Sequence, residues 1–212
     1  MNIIFLGIFA VVVVIYLVSL FFKQGVFQAV VKACLMPLVL AVYVSGANSI
    51  FFPVVLALVF GWIGDIFLVK IEDIRFFRRG LTSFLLGHIC YIPSMLHFAG
   101  KLNIPILGIS LLVAAALGVL MIKIIRPSRE MNISTIVYET VIILMAASAL
   151  QLFMARGAPF GALVFAGSLC FLVSDSMLAF FTFRGKPKDG FFLVMLTYIA
   201  AQFCIVLGLS GL

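Results

Sequence analysis

A chain of 212 residues that is 66% hydrophobic and 10% charged, with a mean hydropathy of +1.36, is too apolar to be a water-soluble globule. Its solvent is the bilayer. The net charge of +7 sits in short loops, where it reports topology, and no soluble region remains to carry a nucleic-acid site.

A helix needs about 20 mostly apolar residues to span the hydrocarbon. Reading between polar breaks gives eight such runs, and hence an all-α integral membrane protein, a bundle of eight transmembrane helices in a single domain over 1–212. The first, 2–22, lacks a basic leading segment and a small-residue cleavage site, and is expected to remain as a helix. The second, 26–44, carries Lys32, and the third, 50–69, carries Asp65 inside "FGWIGDIFLV". The fourth, 80–99, holds His88 and Tyr91; the fifth, 104–125, has no ionisable group before Lys123. The sixth, 133–154, holds Tyr138 and Glu139, the seventh, 160–183, holds Ser174 and Asp175 in "FLVSDSMLAF", and the eighth, 191–211, holds Tyr198 and Gln202. Continuous apolar runs, without alternation, exclude a β-barrel.

The loops after helices 1, 3, 5 and 7, with their helix ends, hold Lys23, Lys70, Arg75, Arg78, Arg79, Lys123, Arg126, Arg129, Arg184, Lys186 and Lys188, against Lys101 and Arg156 on the other side. This asymmetry places both termini away from the cytoplasm, and the expected setting is a bacterial inner membrane. Cys34, Cys90, Cys170 and Cys204 lie within apolar runs without a CxxC, and read as buried structural thiols. No metal-ligand spacing and no nucleophile elbow occurs. A shift of 110 residues superposes Asp65 on Asp175, Leu68 on Leu178, Gly80 on Gly190 and His88 on Tyr198. If that match is a repeat, helices 3–4 correspond to helices 7–8 and two parallel four-helix halves follow.

An ionisable group inside the hydrocarbon costs roughly 2.5 to 3.5 kcal/mol on insertion scales, so each asks for a reason. Under the expected topology Lys32, Asp65, His88, Tyr91, Tyr138, Glu139, Ser174, Asp175, Tyr198 and Gln202 all fall between the midplane and the cytoplasmic face. Polar groups from six helices at one depth predict one cavity, with lipid exposure excluded by cost. Gly61 and Gly64 beside Asp65 would let a neighbouring helix approach closely. Plainer readings exist for several members. Lys32 can snorkel to the interface, Glu139 can be solvated there, the tyrosines can be packing residues, and Asp65 and Asp175 can be halves of a buried pair with Lys32 or His88.

In order along the chain come "VKACLMPLVL", "GDIFL", "FLLGHICYI", "VYETVIILM", "FLVSDSMLAF" and "TYIAAQFCIVLG". Together they resemble the YhhN-like family, which includes the mammalian transmembrane lysoplasmalogenases, from helix 2 to helix 8. One departure is that Lys32 is followed by "ACLMP", where family members often have Lys-Pro directly. The resemblance implies an eight-helix membrane enzyme that hydrolyses the vinyl ether bond of lysoplasmalogens to a fatty aldehyde and glycerophosphoethanolamine or glycerophosphocholine. It implies Asp65 and Asp175 as the catalytic residues, a lysophospholipid within the bilayer as substrate, and no metal or organic cofactor.

Vinyl ether hydrolysis needs one acid that holds its proton near neutral pH and one negative charge near the oxocarbenium ion. Two carboxylates in a low-dielectric site suit this. Asp175 is expected as the acid and Asp65 as the stabilising carboxylate, with the reverse assignment still open. His88, Tyr91, Tyr138, Ser174 and Tyr198 would support the site, Gln202 would bind the glycerol portion, and Lys32 would hold the phosphate. The alternative is a proton-coupled transporter or lipid-binding membrane protein, since intramembrane carboxylates also relay protons.

Overall fold

The computed structural model describes residues 3–22, 25–125, 129–185 and 190–212; among them the chain is helical, without a strand. The helices are α1 (Ile3–Ser19), α2 (Gly25–Gly46), α3 (Phe52–Phe67), α4 (Ile74–Ala99), α5 (Ile104–Ile125), α6 (Arg129–Arg156), α7 (Phe160–Arg184) and α8 (Gly190–Ser210), with a 3-10 turn, Leu68–Lys70, after α3. Six of them are long and apolar enough to cross a membrane: α2, α3 with its 3-10 turn, α4, α6, α7 and α8. Their outward faces carry side chains such as Val30, Val44, Leu86, Val137 and Leu169, a surface that suits lipid and not water. Lys23, Arg126, Lys186 and Lys188, four of the basic residues behind the expected orientation, lie outside the described residues. The cysteines are unpaired, but the expected burial fails for Cys34, which is exposed on α2; the other three are half-buried.

Two helices start well before their apolar runs. The segment "KIEDIRFFRR" reads as a loop because of its charge, yet α4 begins within it at Ile74. Asp73 is the cause. Its Oδ1 accepts the Arg75 amide at 2.9 Å and its carbonyl accepts the Phe77 amide at 2.9 Å, which is the bonding of an N-cap. The Arg75 side chain closes on the same carboxylate at 3.0 Å and holds the Asp73 carboxyl below the usual range. α6 likewise begins at Arg129, four residues before the expected 133. A helix that leaves the hydrocarbon keeps its backbone bonds in polar sequence, so charge marks the membrane edge and not the helix end.

The chain divides into two compact units, Met1–Ser94 with Leu209–Leu212, and Met95–Gly208. In the first, α2 packs on α1 and α3. Pro37 lies inside α2 and has no amide to give to the Ala33 carbonyl one turn back. The Trp62 indole on α3 supplies the missing donor, with Nε1 to Ala33 O at 2.8 Å. α4 returns against α3: the Phe84 ring covers Gly64, Gly87 meets the Ala57 carbonyl, and the Ser83 hydroxyl donates to the Phe60 carbonyl at 2.6 Å. The expected close approach beside Asp65 is therefore present at Gly64, filled by a ring.

In the second unit α6 packs on α5 and α7, and its buried residues include Ile142, Met145, Ala149 and Leu152. α7 and α8 lie backbone to backbone. A Cβ added at Gly167 would stand 2.8 Å from the Ala201 carbonyl and 2.9 Å from the Ile205 amide, and one at Gly208 would stand 2.6 Å from the Phe160 carbonyl. The Ser174 hydroxyl adds a bond between these helices, donating to the Val194 carbonyl at 2.9 Å.

Two outcomes check this account. Trp62→Phe is expected to cost about 1 kcal/mol by leaving the Ala33 carbonyl unbonded, and the cost should shrink in a Pro37→Ala background, where the new amide takes its place. Thermal unfolding of the four proteins in detergent measures the coupling. Gly167→Ala drives a methyl into backbone that has no rotamer to yield, and is expected to lower stability by roughly 1 to 3 kcal/mol; a melting temperature equal to that of the parent would contradict the packing described.

Candidate functional site

Asp65 stands on the last turn of α3, 1% exposed. A carboxylate with so little water needs a compensating charge. Lys32 on α2 provides it, with Nζ 3.3 Å from Oδ1 and a side chain only 12% exposed. The ammonium thus turns inward onto the carboxylate and does not snorkel. Lys32 and Ala33 on α2 face Asp65 and Trp62 on α3, so the ion pair and the indole bond join the helices at one level. Tyr16 of α1, buried at 3% exposure, is close enough for electrostatic interaction with Asp65. Sequence reading passed over Tyr16, although it is the one side chain in 3–18 that can donate a hydrogen bond.

His88 and Tyr91 are buried on α4, each 1% exposed. Their neighbours place both toward the start of α3, away from Asp65 at its end. Gly87 faces Ala57 and Phe60, which puts His88 at least a turn along α3 from Asp65. Tyr91 comes within electrostatic reach of Tyr43, whose hydroxyl accepts the Phe51 amide at 3.0 Å where α3 begins. Phe51 is 14 residues before Asp65, about 20 Å along a helix. Tyr91 belongs to that opposite end.

In the second unit Asp175, half-buried on α7, accepts a short hydrogen bond at Oδ2 from the Tyr138 hydroxyl on α6. The next residue, Glu139, is 4% exposed and its charge interacts with that of Asp175. The expected solvation of Glu139 at the interface is therefore overturned: α6 packs on both α5 and α7, and this carboxyl is packed inside. Ser174 is directed elsewhere, its hydroxyl bonded to the Val194 carbonyl, where it ties α7 to α8. The Tyr198 ring meets Phe171 edge-on at 5.5 Å, one turn from Asp175. Gln202, 1% exposed, lies a further turn along α8, next to the Ala201 carbonyl that faces Gly167.

The structure thus assembles two polar clusters, Lys32–Asp65 with Tyr16, and Tyr138–Asp175 with Glu139. Each joins the second helix of its group to the third. Lipid-facing helices around buried charged and hydrogen-bonded side chains define a multi-pass α-helical membrane protein with ionisable groups inside the spans. The YhhN family model matches residues 24–209, and the chain belongs to that family. No curated protein and no solved structure matches it.

The ion pair gives a direct test. Asp65→Asn or Lys32→Met alone strands a buried charge and is expected to cost about 3 kcal/mol or more, whereas the Lys32→Met/Asp65→Asn double variant should recover much of the loss. Unfolding temperatures of the three variants measure this. Additive losses would show that the two side chains are not coupled.

Proposed function

We propose that this chain is a lysoplasmalogenase-like membrane hydrolase, in which water cleaves the vinyl ether bond of a lysoplasmalogen. The products are a fatty aldehyde and glycerophosphoethanolamine or glycerophosphocholine. Membership of the YhhN family is consistent with a hydrolase. The observation that carries the reading is that each of the two aspartates is held by a side chain of another helix. Asp65 is paired with the Lys32 ammonium, while Asp175 accepts a hydrogen bond from the Tyr138 hydroxyl.

The reaction demands two carboxyl roles, an acid and a stabilising carboxylate. Asp175 is the general acid that protonates the β carbon of the vinyl ether, with the π pair forming the new C–H bond. Asp65 is the carboxylate that lowers the energy of the oxocarbenium ion. Water adds to the cationic carbon and loses a proton, and the hemiacetal then breaks to aldehyde and alcohol. Lys32 is reassigned in this reading, from phosphate binding to pairing with Asp65. Tyr138 orients Asp175, and His88, Tyr198 and Gln202 keep supporting roles. A second reading, proton-coupled transport, draws on the buried carboxyls of α3 and α6, since intramembrane carboxyls also relay protons.

Purified protein in lipid nanodiscs is expected to release aldehyde from a lysoplasmalogen, with Asp65→Asn and Asp175→Asn each slowing turnover by at least about 100-fold. Undiminished release by both variants would rule out the carboxylate mechanism. A folded wild type that leaves vinyl ether lipids intact, yet moves protons across vesicles, would favour transport.

A further inference from the structure

The reaction proposed above makes no use of the basic turn between α3 and α4. The span of α3 ends at Lys70 and that of α4 begins at Ile74, so this turn lies at a membrane edge. Lys70 and Arg79, both exposed, approach one ring, that of Phe76, with Nζ 5.2 Å and Cζ 5.8 Å from its centroid. Arg79 reaches the ring from three residues along α4, on the same face, and Lys70 reaches it from the 3-10 turn. Helix packing holds the arrangement. Leu68 fills the gap at Gly80, where a Cβ would stand 2.8 Å from its Cδ2, and the Phe67 ring lies 6.2 Å from that of Phe76.

Two like charges gathered at one ring repel, and the ring compensates them only weakly. Among the described residues neither cation forms an ion pair. Asp73 is within electrostatic reach of Arg79, but Arg75 occupies both of its carboxylate oxygens, at 3.2 and 3.0 Å. Charges that served topology alone could stand apart and fully solvated. Their convergence suits an anion. Ile66 and Val69, exposed on the turn before Lys70, continue the surface as apolar side chains. We propose that an anionic phospholipid docks here, its phosphate between Lys70 and Arg79 and its acyl chains over Ile66 and Val69. Ammonium and guanidinium both donate charge-assisted hydrogen bonds to phosphate oxygens. The Phe76 ring gathers the two cations beforehand, so less side-chain freedom is lost on binding. The membrane edge and the apolar neighbours select a lipid over a soluble phosphate. This docking uses neither aspartate and stands apart from the hydrolase reading.

Native mass spectrometry of the full chain in detergent tests it, with titration by a phosphatidylglycerol and by a phosphatidylcholine of equal chain length. The phosphatidylglycerol is expected to bind more tightly. Lys70→Gln/Arg79→Gln should weaken that binding about 10-fold or more. Lys101→Gln, which removes an exposed cation just past the other end of α4, should leave it unchanged. Phe76→Leu keeps both charges and is expected to weaken binding about 3-fold, since the cations are no longer gathered. Equal binding of the two lipids by the wild type overturns the site without recourse to any variant. So does an equal loss in Lys101→Gln and the double variant, which would reduce the effect to total charge. Displacement of the lipid by millimolar inorganic phosphate would assign the cations to a soluble anion and overturn the lipid. Unchanged affinity in Phe76→Leu overturns the role of the ring. Circular dichroism confirms that each variant is folded.

Discussion

A charge inside a membrane helix must be compensated by neighbouring helices, because the hydrocarbon gives it nothing. That constraint explains the placement of the most polar side chains in this protein. Asp65 meets an ammonium and Asp175 a phenol, in each case across a helix–helix contact. The backbone follows the same rule. Pro37 leaves the Ala33 carbonyl without its helical donor, and the indole that supplies one comes from the helix that carries Asp65. A defect in one helix and a charge in the next are compensated within a single turn of each other, so the ion pair is held by a fixed anchor and not by two flexible side chains alone.

Much of the fold was legible in the sequence, since hydrophobic run length is a direct readout of bilayer thickness. The expected bounds of α5 coincide with the observed Ile104–Ile125, and α7 and α8 differ from theirs by a residue. The starts of α4 and α6 were not legible, because hydropathy finds where a helix enters the hydrocarbon and not where its hydrogen bonds begin. The capping role of Asp73 lies in local bonding that a hydropathy reading of "KIEDIRFFRR" passes over. That single misreading left Ile74–Arg79, the first turn and a half of α4, in a loop.

Partner choice was legible only as a set of alternatives. Periodicity says which side chains share a face, but not which face meets which helix. Lys32 could as well have reached the interface as Asp65, and the outcome depends on packing at Ala33 and Trp62 that no pattern in the sequence announces. Glu139 is the sharper case. One residue separates it from Tyr138, and an isolated helix would turn them about 100° apart. Both are nonetheless buried, because α6 packs on α5 and α7 and buries more than one face.

The two aspartates differ in what the preceding helix offers them. Each stands on the third helix of its group, and each meets a side chain of the second. Lys32 brings an ammonium to Asp65, and Tyr138 brings a hydroxyl to Asp175. An ammonium adds a charge of its own, whereas a phenol donates one hydrogen bond and adds none. The setting of each carboxyl therefore rests on a few polar residues of α2 and α6, and on which helix packs against which.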